Sequence, residues 1–185
     1  GFQMEKGIED LNRGAEAYQA GDYETAVAYY KKAAAAGNVT ALSNLGYCYY
    51  YGRSVPVDKE KARRCWEEAS EQGDVAATYK LGDLLWYGEP VKDRDRAKEF
   101  YRKAFRMGLE SADIWVRPDA ILRMFRYCPE DLPAERLELL DLGWICVSDL
   151  EDRIAEGDRY SEKLLREAEE LLSALLPAAE EGAKN

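Results

Sequence analysis

The sequence predicts an all-α fold: a right-handed α-solenoid of antiparallel helix pairs, closed by C-terminal capping helices. The first observation is an internal repeat, the signature of stacked supersecondary units. Ala41-x-x-x-Leu45-Gly46 returns 36 residues later as Ala77-x-x-x-Leu81-Gly82, and Gly52 returns as Gly88. The second is that the rest of each unit keeps step at an offset of 35: Asp58 with Asp93, Ala62 with Ala97, Trp66 with Tyr101, Ala69 with Ala104, Gly73 with Gly108. The third is spacing. Ala62, Trp66 and Ala69 stand four and then three apart, which lines one face of a helix.

Each element follows from these. The earliest unit matches the second-helix pattern through Asp22, Ala26, Tyr30, Ala33 and Gly37. First helices are predicted over Val39–Tyr51 and Val75–Tyr87, each stopped by a glycine suited to a left-handed cap. Second helices begin after Asp58 and Asp93, whose carboxylates accept orphan backbone N–H bonds, and end at Gly73 and Gly108. Gly46 and Ala62 are expected to let the two helix backbones approach, with Trp66 wedged against the next unit. Beyond Glu110 the pattern decays. Pro118 suits the first turn of a helix running to Cys128, where Pro129 stops it, with Ile121, Leu122, Phe125 and Cys128 as its apolar face. A helix over 133–156 shows Leu137, Leu140, Trp144, Val147 and Ile154, with Gly143 as a candidate weak point. A last helix over Ser161–Leu176 carries a stripe through Leu164, Leu165, Ala168, Leu171, Leu172, Leu175 and Leu176. That stripe is expected to pack on the preceding helix; self-association is the alternative.

The full motif, A-x-x-x-L-G, a loop glycine, then D-x-x-x-A-x-x-x-[W/Y]-x-x-A-x-x-x-G, resembles the Sel-one-like repeat, a relative of the tetratricopeptide repeat. Units at 39–74 and 75–110 match it. The unit at about 5–38 resembles a plain tetratricopeptide, because Gly14 to Ala26 is 12 residues where Gly46 to Ala62 is 16. The expected organisation is three repeats over 5–110 and, over 111–180, a degenerate fourth unit with capping helices. The resemblance implies protein–protein interaction, with first helices lining a concave groove. Family members that carry a cysteine pair in every repeat staple their helices with it. Here Cys48 is expected opposite Glu60, away from Cys65, so no staple is predicted.

Composition narrows the chemistry. With 46% apolar and 34% charged residues the chain reads as a soluble globular protein, and no apolar run approaches the roughly 18 residues of a membrane helix. Cys48, Cys65, Cys128 and Cys146 lie in apolar helical stretches and are expected as reduced core thiols. With no signal pattern at the start, this predicts a cytoplasmic location. The absence of histidine and of any Cys-x-x-Cys argues against a metal site. It also excludes histidine-based catalytic sets. No phosphate-binding glycine loop appears, and paired carboxylates such as Asp93 and Asp95 fall at helix caps or on solvated faces. No catalytic residue, cofactor or metal is expected. The net charge is −10, and residues 134–185 hold 14 acidic against 6 basic side chains, 14 − 6 leaving a net −8 there. Nucleic acid and anionic membranes are poor partners for such a surface.

Carried over from the tetratricopeptide pattern, groove positions fall at −6, −3, +1, +4 and +5 from the repeat glycine. They are Thr40, Ser43, Tyr47, Tyr50 and Tyr51 in one unit and Ala76, Tyr79, Asp83, Trp86 and Tyr87 in the next. The first unit supplies Leu11, Ala15, Tyr18 and Gln19, while Tyr49 and Leu85 face the core. The candidate partner-binding residues are therefore Tyr18, Tyr47, Tyr50, Tyr51, Tyr79, Asp83, Trp86 and Tyr87. Large, stiff rings with a polar handle dominate interface hot spots; the alternative for any single ring is filling the seam between repeats. The expected function is an adaptor or scaffold docking an unidentified protein or peptide, with a monomer expected in preference to a homodimer. The alternative is a structural module that oligomerises through the C-terminal helices, and after that an enzyme.

Overall fold

The computed structural model describes residues 5–176, and within them all regular structure is helical. The helices are α1 (Ile8–Gln19), α2 (Tyr23–Ala35), α3 (Val39–Tyr51), α4 (Lys59–Glu71), α5 (Val75–Tyr87), α6 (Arg94–Ser111), α7 (Arg117–Tyr127), α8 (Arg136–Ala155) and α9 (Ser161–Leu175), with a 3-10 turn at Pro129–Asp131. Residues 177–180 of the expected C-terminal span lie outside the described residues. The chain divides into two compact units, Gly1–Phe100 and Tyr101–Asn185, with the boundary inside α6.

The first unit is a run of helix pairs, the α-solenoid arrangement. Caps set its boundaries. Asp22, Asp58 and Asp93 accept bonds from the backbone N–H of Thr25, Lys61 and Arg96. Gly52 and Gly88 close α3 and α5 in left-handed conformations, φ 70° and 77°, which a side chain would strain. Asn38, which carried no sequence expectation, caps α3 through Ala41 N–H at 2.8 Å and donates to the Lys6 carbonyl at 2.9 Å. One buried amide thereby ties the start of α3 to the start of the chain.

Packing follows a rule that differs in one respect from expectation. Gly46 makes room for a ring rather than for the Ala62 backbone: a Cβ there would stand 2.5 Å from Trp66 Nε1. Gly14 does the same for Tyr30, at 2.7 Å. Trp66 is 1% exposed, and its Nε1–H donates to the Ser43 carbonyl at 3.0 Å. It then joins Ala62, Ala69, Ala77, Leu81 and Leu84 in one cluster, so it also serves the seam to the next repeat. A matching cluster joins α2 to α3 through Ala26, Val27, Tyr30, Ala33, Leu45 and Cys48. All four cysteines are free thiols, three buried and Cys65 half-buried.

In the second unit Ile121, Leu122, Leu142, Cys146, Val147, Leu150, Ala168 and Leu172 form the core. The α9 stripe packs here, on α8. Of the apolar residues that α8 shows, Leu137 and Trp144 stand 76% and 57% exposed, off its core face. Gly143 is not a weak point: α8 runs through it, and a Cβ there would meet Leu172 Cδ2 at 2.5 Å. Ion pairs, absent from the sequence expectation, hold the unit. Arg117 donates twice to Asp149, at 2.7 and 2.8 Å, and Arg153 bonds Asp119 and the Ile114 carbonyl. Arg126 clamps Glu167 in the same two-pronged way.

Candidate functional site

The candidate residues of the first unit sit on its first helices. Tyr18 is on α1, Tyr47, Tyr50 and Tyr51 on α3, and Asp83, Trp86 and Tyr87 on α5. Their rings form a nearly continuous run. Tyr23 and Tyr18 lie 4.9 Å apart between centroids, Tyr18 and Tyr47 6.4 Å, Tyr47 and Tyr51 4.5 Å, Tyr51 and Tyr50 4.7 Å, and Tyr50 and Trp66 5.7 Å. These are the tilted and edge-on arrangements that ring quadrupoles favour.

Where α3 faces α5 the run opens into a recess of about 200 Å³, lined by Tyr50, Tyr51, Lys80, Asp83 and Tyr87 over Trp66 and Leu84. Tyr51 and Tyr87, at the same register in successive repeats, are 46% and 60% exposed. Three expected members behave otherwise. Tyr79 is buried, as is Ser43, whose carbonyl serves Trp66. Both are seam residues, because the −3 position points between helices. Trp86 does not line the recess; the Arg94 guanidinium covers its ring at 4.6 Å. Of the two residues assigned to the core, Tyr49 packs half-buried against both clusters, whereas Leu84 rather than Leu85 carries the buried contact on α5.

Two charged residues outside the sequence expectation, Arg53 and Glu89, follow a repeat rule of their own. Arg53 and Glu89 each follow a cap glycine, and each donates its backbone N–H back into the helix just ended, to the Cys48 and Leu84 carbonyls. That turn swings the side chain onto the preceding repeat. Arg53 lies over Tyr23 at 5.0 Å and Tyr51 at 5.9 Å, and its charge acts on the Tyr18 phenol. Glu89 accepts the Tyr50 hydroxyl at 2.5 Å and pairs with Lys59 at 3.1 Å. Tyr18 and Tyr50 both stand four residues after their repeat glycine, so a tyrosine at that register meets a charged side chain in both repeats, with the sign reversed. Position +1 after the cap glycine was the readable signal.

These contacts show in the proton affinities. The Tyr50 hydroxyl bond holds Glu89 below the usual carboxylate range despite its partial burial, with Lys59 adding to the effect. Burial pushes the phenols of Tyr30 and Tyr47 from the usual 10.0 up to about 12. A raised folded-state value favours the neutral form, so this contribution to stability is full below pH 10 and lost as pH climbs towards 12. Unfolding free energy measured by denaturant titration is expected to hold up to pH 10 and fall across that window. A flat profile would contradict the burial of these rings. No group of acidic or cysteine side chains that could hold a metal ion occurs among the described residues.

The model of the Sel1 repeat matches three times, at residues 12–38, 39–74 and 75–109, more than half of the chain. The chain belongs to the Sel1 repeat family. Sel1 repeat proteins generally mediate protein–protein interaction. Two solved structures share the fold. One is a Sel1 repeat protein from Oxalobacter formigenes, with TM-score 0.53 and 19% identity over 95% of this chain and 88% of that one. The other is c5321, a protective antigen of uropathogenic Escherichia coli displaying an SLR fold, with TM-score 0.52 and 20% identity over 88% of this chain and 41% of that one. Among curated proteins, an Arabidopsis thaliana ERAD-associated E3 ubiquitin-protein ligase component, HRD3B, is 29% identical over 112 residues, 54% of this chain and 18% of its own length. A Sel1-like repeat-containing protein of Schizosaccharomyces pombe is 43% identical over 47 residues, 25% of this chain and 7% of its own length. The chain thus spans less than a fifth of the curated relatives it matches. No helix among the described residues is long and apolar enough to cross a membrane.

Proposed function

We propose that this Sel1 repeat protein is an adaptor that docks a partner polypeptide on the first-helix face of its repeats, with one large side chain of the partner seated between Tyr51 and Tyr87. The observation that carries this is the aromatic run ending in an open recess. At about 200 Å³ the recess is smaller than the roughly 300–1,000 Å³ of small-molecule sites, which favours a protein anchor over a substrate. Lys80 and Asp83 place both signs of charge in the lining. The similarity to a component of a ubiquitin ligase agrees with a role inside an assembly.

A random peptide library displayed on phage and selected against the intact chain supplies the probe. Selected peptides are expected to lose at least about 30-fold in affinity for Tyr51→Ala/Tyr87→Ala, near 1 kcal/mol for each ring. Val57→Ala/Val91→Ala, which shortens two exposed loop side chains, should leave affinity unchanged. Peptides that bind the tyrosine variant at full strength would place recognition elsewhere.

A further inference from the structure

In α8 and α9 the repeat contact reappears without the repeat sequence. Leu142-Gly143 stands as Leu45-Gly46 and Leu81-Gly82 do, and Ala168-x-x-x-Leu172 as Ala62-x-x-x-Trp66 does. The contact across the pair is the same: glycine against the large residue, 2.5 Å from a Gly143 Cβ to Leu172 and 2.5 Å from a Gly46 Cβ to Trp66. The register from that glycine therefore has meaning in the second unit as well. In the third repeat the position one after the glycine is Asp83 and the position five after it is Tyr87, both lining the recess. The corresponding residues of α8 are Trp144 and Ser148. They line an open hollow of about 450 Å³ with Arg117, Asp141, Ile145 and Asp149. Leu137, two turns earlier, is the most exposed leucine of the described chain, at 76%.

We propose that the outer face of α8 is a second docking surface, separate from the tyrosine recess, and that its occupant is a basic amphipathic segment of another protein. Such a segment would lay an apolar side chain against Leu137 and Trp144 and a lysine or arginine beside Asp141. Charge selects this occupant. The exposed charged positions of α8 around Trp144 are Glu138, Asp141, Glu151 and Asp152, while two of the three neighbouring cations are neutralised by carboxylates. Arg117 is bound twice by Asp149, Arg153 is buried on Asp119, and Arg136 donates to the Leu175 carbonyl. The rim is therefore negative around an apolar centre, and an ammonium or guanidinium gains further from the face of an exposed indole. A second copy of this chain is the wrong partner, because a two-fold interface sets the same carboxylates against one another.

Two synthetic helical peptides serve as probes, one with leucines on one face and lysines on the other, the second with glutamate replacing each lysine. Calorimetry on the intact chain is expected to show binding of the lysine peptide and none of the glutamate peptide. Trp144→Ala and Asp141→Lys should each weaken the lysine peptide at least about tenfold, while Tyr51→Ala/Tyr87→Ala leaves it unchanged. Sedimentation should show a monomer. The proposal fails if the lysine peptide does not bind, if both α8 variants bind it at full strength, or if the glutamate peptide binds equally. It also fails if the chain dimerises and Trp144→Ala dissolves the dimer.

Discussion

Trp66→Ala is expected to lower the unfolding free energy by about 4 kcal/mol, in the range for deleting a buried tryptophan side chain. The ring is 1% exposed and fills the space that Gly46 leaves, so its removal opens a cavity between α3 and α4. The same ring reaches Ala77, Leu81 and Leu84 of the following repeat, which denies the site an easy collapse. It also carries the hydrogen bond to Ser43, contributing about 1 kcal/mol. Trp66→Phe keeps most of the packing and should cost distinctly less. Because Tyr50 leans on Trp66 at 5.7 Å, the alanine variant should disturb the recess as well as stability. Guanidinium unfolding followed by circular dichroism measures the loss. A value under about 1 kcal/mol would mean that the glycine–ring contact does not hold the repeat together.

The second large effect is in the other unit. Asp149→Ala is expected to cost about 3 kcal/mol, because breaking a buried ion pair strands the remaining charge. Asp149 is 3% exposed and the Arg117 side chain 20%, with two charge-assisted bonds between them. The pair itself contributes little beyond what apolar residues of similar volume would, so Arg117→Leu/Asp149→Leu should recover most of the loss. Thermal and denaturant unfolding of Arg117→Leu, Asp149→Leu and the double variant form a cycle that separates the two terms. A single variant as stable as the parent would show that the guanidinium finds water instead.

Periodicity and caps made the repeats readable. Val39–Tyr51 and Val75–Tyr87 run between the residues expected, since aspartate or asparagine opens each helix and glycine closes it. What stayed hidden has identifiable causes. The α8 helix carries apolar residues on two faces, and the stripe through Leu137 and Trp144 reads as regularly as the buried one through Leu142, Cys146 and Leu150. Spacing alone does not choose between them. Asp149 and Arg117 are 32 positions apart in sequence, so a carboxylate that fixes the unit looks like any solvated one. In the candidate site the tyrosines were legible because they recur on one helix face. Arg53 and Glu89 were not, because the cap glycines turn them back onto the repeat before. Tyr79 was assigned to the face by register alone, and burial removed it.

The central claim is that the tyrosine face of the first unit is where a partner docks. Nuclear magnetic resonance of a chain with labelled tyrosine rings tests it most directly, using a phage-selected peptide as titrant. Tyr160, 91% exposed near the start of α9, is an internal control for non-specific contact. The account predicts that the ring signals of Tyr47, Tyr50, Tyr51 and Tyr87 shift with added peptide while Tyr160 stays in place. Shifts at Tyr160, with those four rings unmoved, would contradict it.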